Sequence, residues 1–381
     1  MVTGGQDTWL AGIALASPGI NFVALPGFPN PFSLHEDEEC DVVLVADWAF
    51  AELSSSDLRY LDSRAPLVGL DSADTVALAF PPDAMERLTL VIKVQGLYRD
   101  RELYNYFVGP QTPNANWTDK VVPRPQRYRN ADLEKLRLSV PCFAFDLPAV
   151  RRAMRALEAR TKRSLGRPML WPERTVRNAV DDILTLALRL PRRRRYEIHR
   201  VFSLSHPQRL EVLQRLNGFT GKAGITHVMP GVGEAVSEAA LTPQLRRREN
   251  RLRFLTDMHR HKIVVAPTGI GELTFRHAEA WRTGAALVSQ DLNHVETMFP
   301  LREGENVVYC RPDLSDLGEV ARGLLSDDGT RERIAAAGRQ DYRAWTASWR
   351  RLLIDGLERH LEEATGRSPA APMPHTAAAR P

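Results

Sequence analysis

Glu272, Arg276 and Glu279 stand at i, i+4 and i+7, just after two closely spaced glycines, Gly269 and Gly271. Read as one helix starting at Glu272, this spacing puts two carboxylates and a guanidinium on a single face. The glycines let backbone approach a ligand closely, and a helix start directly after them favours an anion. A phosphate at the turn, an arginine beside it and a carboxylate two turns along would together suit a sugar nucleotide. A solvent-exposed ladder of Glu, Arg and Glu has the same spacing, so these three residues alone leave both readings open.

The elements that must position them can be read from their neighbours. Ile263, Val264 and Val265 form a β-branched run closed by Pro267 and the glycines, which predicts a buried strand entering a turn. Residues 272–283 carry good helix formers, with Leu273, Ala280 and Trp281 as packing residues and Gly284 as the stop. Ala286, Leu287 and Val288 make a second strand, which delivers Asp291 and His294 into the following loop. Strand, glycine-rich turn, helix and strand compose one βαβ unit of a parallel sheet.

This stretch resembles the group 1 glycosyltransferases of the two-domain GT-B fold, most closely their spore-maturation (CgeB-like) branch. The likeness is carried by Pro267, Gly269, Gly271, Glu272, Arg276, Glu279, Ala280 and Gly284, then Asp291, His294, Glu296 and Thr297. It extends over residues 196–346 and, more faintly, over 41–145. The resemblance implies a GT-B-like α/β architecture of two Rossmann-like domains facing a central cleft. It also implies that Glu279 holds a nucleotide ribose and that the turn at 269–272 faces the diphosphate and donor sugar. Six residues separate Glu272 from Glu279, one fewer than the family's commoner spacing, and this bears on Glu272 first. Arg209 falls where such proteins often carry an arginine, and Asp71 and Asp74 correspond loosely to an acidic loop.

Composition sets the outer bounds. A chain of 381 residues has room for two domains, and 43% hydrophobic with 26% charged residues is the balance of a globular protein. A formal charge of +4 permits anionic partners without demanding them. Cys40, Cys142 and Cys310 are far apart and match no metal spacing, so no metal site is expected and a reducing, cytoplasmic setting is the simplest reading. The longest apolar run, near residues 9–25, is broken by Pro18 and Gly19, and Asp7 with no preceding Lys or Arg argues against a signal peptide.

Taken in order, residues 1–190 read as an acceptor-side domain. Its first strand is either lost or encoded upstream of Met1. Strands are expected at 41–47, 66–71, 88–94 and 138–145, and Asp47, Asp71 and Asp74 fall at or after strand ends, where open parallel sheets bind ligands. Capping the next turn is the plainer role for these acids. The aromatic and charged mix at 98–106 suits an acceptor cleft or an ordinary amphipathic surface. Residues 150–190 read as largely helical, and the run Arg192 to Arg195 beside a linker reads as solvated. Residues 191–346 are the nucleotide-sugar domain, opening with a strand at 196–204 and a helix through Leu216. Helices are expected at 313–325, 330–345 and 349–363. The segment 347–364 is placed back against the first domain, and 365–381 is read as a disordered tail.

The expected activity is therefore transfer of a sugar, hexosyl or related, from a nucleotide-diphosphate sugar to an acceptor: a glycan, a lipid-linked group, a protein or a small molecule. No further cofactor and no nucleic acid are expected, while peripheral membrane contact is compatible with the charge. Gly269, Gly271, Glu272, Arg276, Glu279 and Arg209 are the donor-binding candidates, and His294, Asp71 and Asp74 the candidates for proton transfer. An epimerase-like enzyme on the same fold, or a non-catalytic nucleotide-sugar binder, are the rival readings.

Overall fold

Short apolar runs bounded by turn residues become the strands of two parallel sheets. The computed structural model describes residues 41–50, 59, 61, 63, 65–73, 75–107, 122–141, 194–229, 245 and 251–366. In the first part lie β1 (Val43–Ala46), β2 (Leu67–Asp71), β3 (Leu90–Lys93), β4 (Leu97–Tyr98), β5 (Tyr106–Phe107), β6 (Val122–Pro123) and β7 (Leu136–Leu138). β1, β2, β3 and β7 form one parallel sheet in that order. β2 and β3 are buried along their whole length, as strands covered on both faces must be.

The second part holds β8 (Tyr196–Leu204), β9 (Ala223–Val228), β10 (His261–Ala266), β11 (Ala286–Gln290), β12 (Val295–Glu296) and β13 (Val308–Cys310). Its sheet runs β13-β11-β10-β8-β9, all parallel. Around it pack α1 (Gln208–Arg215), α2 (Arg251–His259), α3 (Phe275–Thr283), α4 (Leu317–Ser326) and α5 (Asp328–Thr365). The mixed α/β class with parallel sheets is as expected from the sequence. Residues 1–40, 142–193 and 230–244 lie outside the described residues, and with them the expectations for the first strand, the helical stretch at 150–190 and the strand residues 142–145. No helix among the described residues is long and apolar enough to cross a membrane.

Two helices differ from the sequence reading. The motif helix starts at Phe275, not Glu272, because Thr274 is extended (φ −122°, ψ 158°) and its N–H donates to His277 Nδ1 at 3.1 Å. Glu272 therefore lies before the helix, and only Arg276 and Glu279 share the expected face. Toward the C-terminus the two expected helices are one unbroken helix of 38 residues, α5. The polar residues at the anticipated break turn inward on the helix itself: Thr346 Oγ1 donates to Arg343 O and Ser348 Oγ to Ala344 O.

One apolar core runs through both sheets. Val68, Leu70, Leu90 and Ile92 of the first cluster with Val264, Trp281 and Leu287 of the second and with Leu353 and Leu357 of α5. Arg137 pairs with Glu363, and the His360 ring lies 3.3 Å from Leu138 O, so the end of α5 rests on β7. Trp281 is fully buried, donates to Asn306 O at 2.9 Å and stacks on Phe299 with centroids 4.6 Å apart. Its indole presses on Gly338 of α5, where a Cβ would come within 2.4 Å of Cδ1. Gly338→Ala is therefore expected to cost about 1–3 kcal/mol by overpacking a rigid ring, although alanine is the better helix former. Chemical denaturation measures it, and a stabilised variant would show that the indole has room to move.

Candidate functional site

The strand order of the second sheet locates a crevice without reference to any ligand. From β8 the chain moves outward to β9, then crosses back to β10 on the other side of β8. Connections leave β8 and β10 in opposite directions, and such a switch point at the carboxyl ends of parallel strands is where open α/β sheets bind ligands. Residues 205–209 follow β8 there and residues 267–273 follow β10, so the structure brings Arg209 and Gly269 together.

Arg209 sits between these loops. Its Nε donates to Thr268 O at 3.0 Å, and its Nη1 to Ser203 O at 2.7 Å and Ser203 Oγ at 3.1 Å. A Cβ on Gly269 would fall 2.3 Å from Arg209 Nη2 and 2.8 Å from Ser205 Oγ, so the glycine makes room for the guanidinium. Gly271 closes the turn, its carbonyl accepting from Gly269 N at 2.9 Å. Burial pushes the Arg209 pKa down to about 9, and the Arg276 charge adds to the effect. Among the described residues no carboxylate pairs with Arg209. A poorly solvated cation without a counter-ion favours an anionic ligand.

Arg276 and Glu279 occupy the first two turns of α3. Arg276 reaches across to β8, donating to Val201 O and facing His199 Nδ1 at 3.2 Å, and it lies 4.7 Å above the Phe202 ring. Burial lowers its pKa to about 10, opposed by Glu279. Glu279 itself is half-buried. His277 locks the helix to the sheet: with Nδ1 accepting from Thr274, Nε2 donates to Ser289 Oγ at 2.9 Å, and burial holds the ring neutral, its pKa pushed down to about 4.

Glu272 points elsewhere. Its carboxylate is fully buried and accepts from Val76 N at 3.1 Å and Tyr98 OH at 3.3 Å, with Thr75 Oγ1 at 3.5 Å. Burial raises its pKa, opposed by the Val76 amide. All these donors belong to the first part of the chain, so Glu272 fastens the turn after β10 to the loop after β2. A second fastening lies alongside. β12 pairs antiparallel with β4, Arg99 N donates to His294 O at 2.9 Å, and Arg101 pairs with Glu296 at 3.1 Å.

His294 sits in that seam, half-buried and stacked on Tyr98 with centroids 6.1 Å apart. Burial lowers its pKa, opposed by Asp291. Tyr98 thus lies between His294 and Glu272. Tyr98 and Tyr104 are each 1% exposed, so these two aromatics of the 98–106 stretch pack the seam instead of lining an open cleft. Asp71, at the end of β2, is held by Lys93 Nζ at 2.6 Å and by Ala79 N at 2.7 Å, all within the fold. Burial raises its pKa against the pull of Lys93. Asp47 accepts from Ser72 Oγ at 2.9 Å, and Asp74 lies outside the described residues. Arg194, from the basic run, donates to His259, His261, Thr283 and Gly284 carbonyls, where α2 and α3 end. It is a half-buried clamp, not a solvated charge. Among the described residues no group of three His, Cys, Asp or Glu side chains is arranged to hold a metal.

Neither Thr268 nor Gln290 is among the residues that the sequence marks as candidates, and Lys93 and Tyr98 carry roles there other than the ones the structure gives them. The one signal available was polarity at the end of an apolar run: Lys93 closes β3, and Ser289 and Gln290 close β11.

Residues 235–353, which contain the loop after β10, α3 and one side of the seam, match the family model described as Glycosyl transferase-like. No curated protein matches the chain. Among solved structures it is similar to HepE of Anabaena in complex with UDP (11% identity, TM-score 0.43, covering 84% of this chain and 79% of that one). A glycosyltransferase from Rickettsia africae is similar at 12% identity and TM-score 0.44, with 86% and 78% covered. The UDP-GlcNAc 2-epimerase of Neisseria meningitidis bound to UDP-GlcNAc is similar at 11% identity and TM-score 0.38, with 80% of each chain covered.

Proposed function

We propose that the chain transfers a glycosyl group, hexosyl or a close relative, from a nucleotide-diphosphate sugar to an acceptor hydroxyl, as in the spore-maturation branch of group 1 glycosyltransferases. The observation that carries this is Arg209, a buried cation with no carboxylate partner among the described residues, set beside Gly269 at the switch point of a parallel sheet. The family-model match over residues 235–353 supports the same reading. In this reading Arg209 and the turn at 269–271 take the diphosphate and steady its charge as it leaves. Glu279 takes the ribose hydroxyls, and Arg276 keeps Glu279 and the neighbouring strand in register. His294, held neutral by burial, accepts the proton of the acceptor hydroxyl. Asp71 is occupied by Lys93 and serves the fold of the loop. We assign the activity to the cytoplasm, with a glycan, lipid-linked group, protein or small molecule as acceptor and with no metal or other cofactor.

The test is a panel of nucleotide sugars, scored first by thermal shift and then by release of nucleoside diphosphate. Diphosphate release with sugar recovered on an added acceptor supports transfer. An altered free sugar would assign the site to epimerisation, and binding without turnover would make the chain a binder. Arg209→Met keeps the volume and removes the charge, and is expected to weaken nucleoside diphosphate binding by about 1.5–3 kcal/mol, the range for hydrogen bonds to a charged group. Ligand-free stability should change less, because relief of a desolvated charge offsets the Thr268 carbonyl left without its donor, while Ser203 O keeps the N–H of Ser205. Parent affinity in this variant would remove Arg209 from the site.

A further inference from the structure

The loop that carries Gly269 is not held by the sheet. The last ladder pair between β10 and β11 is Ala266 with Ser289, and the next residue of the crevice strand is Pro267, which has no N–H to give. A side chain takes over. Gln290 Oε1 accepts both the backbone N–H and the hydroxyl of Thr268, each at 2.8 Å. Gln290 Nε2 donates to Pro312 O at 2.5 Å and lies 3.3 Å from Gln208 Oε1. Thr268, Gln290 and Gln208 are each 1% exposed. One buried network thus ties together the chain segments that leave β8, β10, β11 and β13 at the crevice.

We infer that Gln290, braced by Gln208, is the positioning residue of the phosphate-facing loop: it fixes Thr268, whose carbonyl holds Arg209 Nε, and so sets where Gly269 and the guanidinium meet an anion. The inference rests on the function proposed above and assigns the geometry of its site to a side chain outside the motif. A buried amide network of this kind is satisfied in few arrangements, and loss of one member takes a partner from each of the others. A displacement of the loop by about an ångström is enough to degrade a site built for close contact.

The experiment uses the full chain, with UDP, GDP and TDP as probes in calorimetric titration, and hydrogen exchange at the Thr268 amide as a second readout. Gln290→Met, which keeps volume and removes both bonds to Thr268, is expected to raise Kd about tenfold or more at temperatures well below unfolding, and Thr268→Val, which removes the hydroxyl bond and leaves the amide bond, to raise it by less. The double variant should be no worse than the poorer single one, because the residues act as a pair. Thr268→Ser, which keeps the hydroxyl, should bind like the parent and carries the test if Gln290→Met does not fold. Exchange at Thr268 should quicken in Gln290→Met. Parent-like affinity in Gln290→Met and Thr268→Val, or losses that multiply in the double variant, would overturn the positioning role alone. A parent chain that binds none of the three diphosphates overturns the functional reading, and this inference with it.

Discussion

Glu272→Ala is expected to lose about 2–5 kcal/mol of stability, because it strands two buried donors, Val76 N–H and Tyr98 O–H, at roughly 1–3 kcal/mol each. Relief of the desolvated carboxylate offsets part of this. Glu272→Gln keeps an acceptor for the amide and should lose less. The pH dependence separates the variants further. Burial raises the folded pKa of Glu272 above its ordinary 4.5, so the folded state binds more protons than the unfolded one between those two values. The contribution of this group is therefore fully present below pH 4.5 and is lost as pH rises through the folded pKa. Glu272→Gln should lack that slope. Equilibrium unfolding at several pH values measures both effects. Unchanged stability with lost donor affinity would return Glu272 to the donor-sugar role implied by the family resemblance.

His294→Ala is expected to lower turnover by about 10²–10⁴-fold, the usual loss when a group that moves a proton is removed. Donor affinity should stay within a few-fold, since the proposed diphosphate contacts are Arg209 and the turn at 269–271. Burial lowers the His294 pKa below its ordinary 6.5, so the acid limb of kcat should fall below that pH and be absent from the variant. The same shift makes stability rise with pH across the window between the lowered folded value and 6.5, because the unfolded chain binds the extra proton there. Turnover that survives with weaker binding would make His294 a donor contact. An unchanged enzyme would leave the ring as packing for Tyr98.

The strands were legible because short apolar runs bounded by Pro, Gly or Asp favour a strand over a helix, and the runs at β2, β10 and β11 met it. Gly284 was legible for a similar reason: it ends α3 at φ +68°, a left-handed conformation that glycine adopts without cost. The start of α3 was not. Its box uses Thr274 and His277 where the familiar signal has Glu or Gln, so good helix formers drew the boundary back to Glu272. The partners of Glu272 lie 174 and 196 residues away, and no local spacing encodes such a contact. The network of Thr268 and Gln290 was hidden because a neutral amide at a strand end looks like any polar boundary. The Arg209 and Gly269 contact was half visible: both residues stood out, but only the crossover of β9 to β10 brings them together.

The long C-terminal helix has a mechanical consequence. At 1.5 Å per residue its 38 residues make a rod of about 57 Å, anchored at one end beside β13 through α4 and at the other on β7. A rod of that length magnifies rotation: a turn of about 5° at its first residues sweeps its far end by roughly 5 Å. The pair of Arg137 and Glu363 cannot follow such a sweep, so the two sheets cannot tilt apart as rigid bodies while both anchors hold. If the proposed function holds, any opening wide enough to exchange a nucleotide must bend the rod or release its far anchor, which makes that exposed pair a gauge of how far the two sheets have parted.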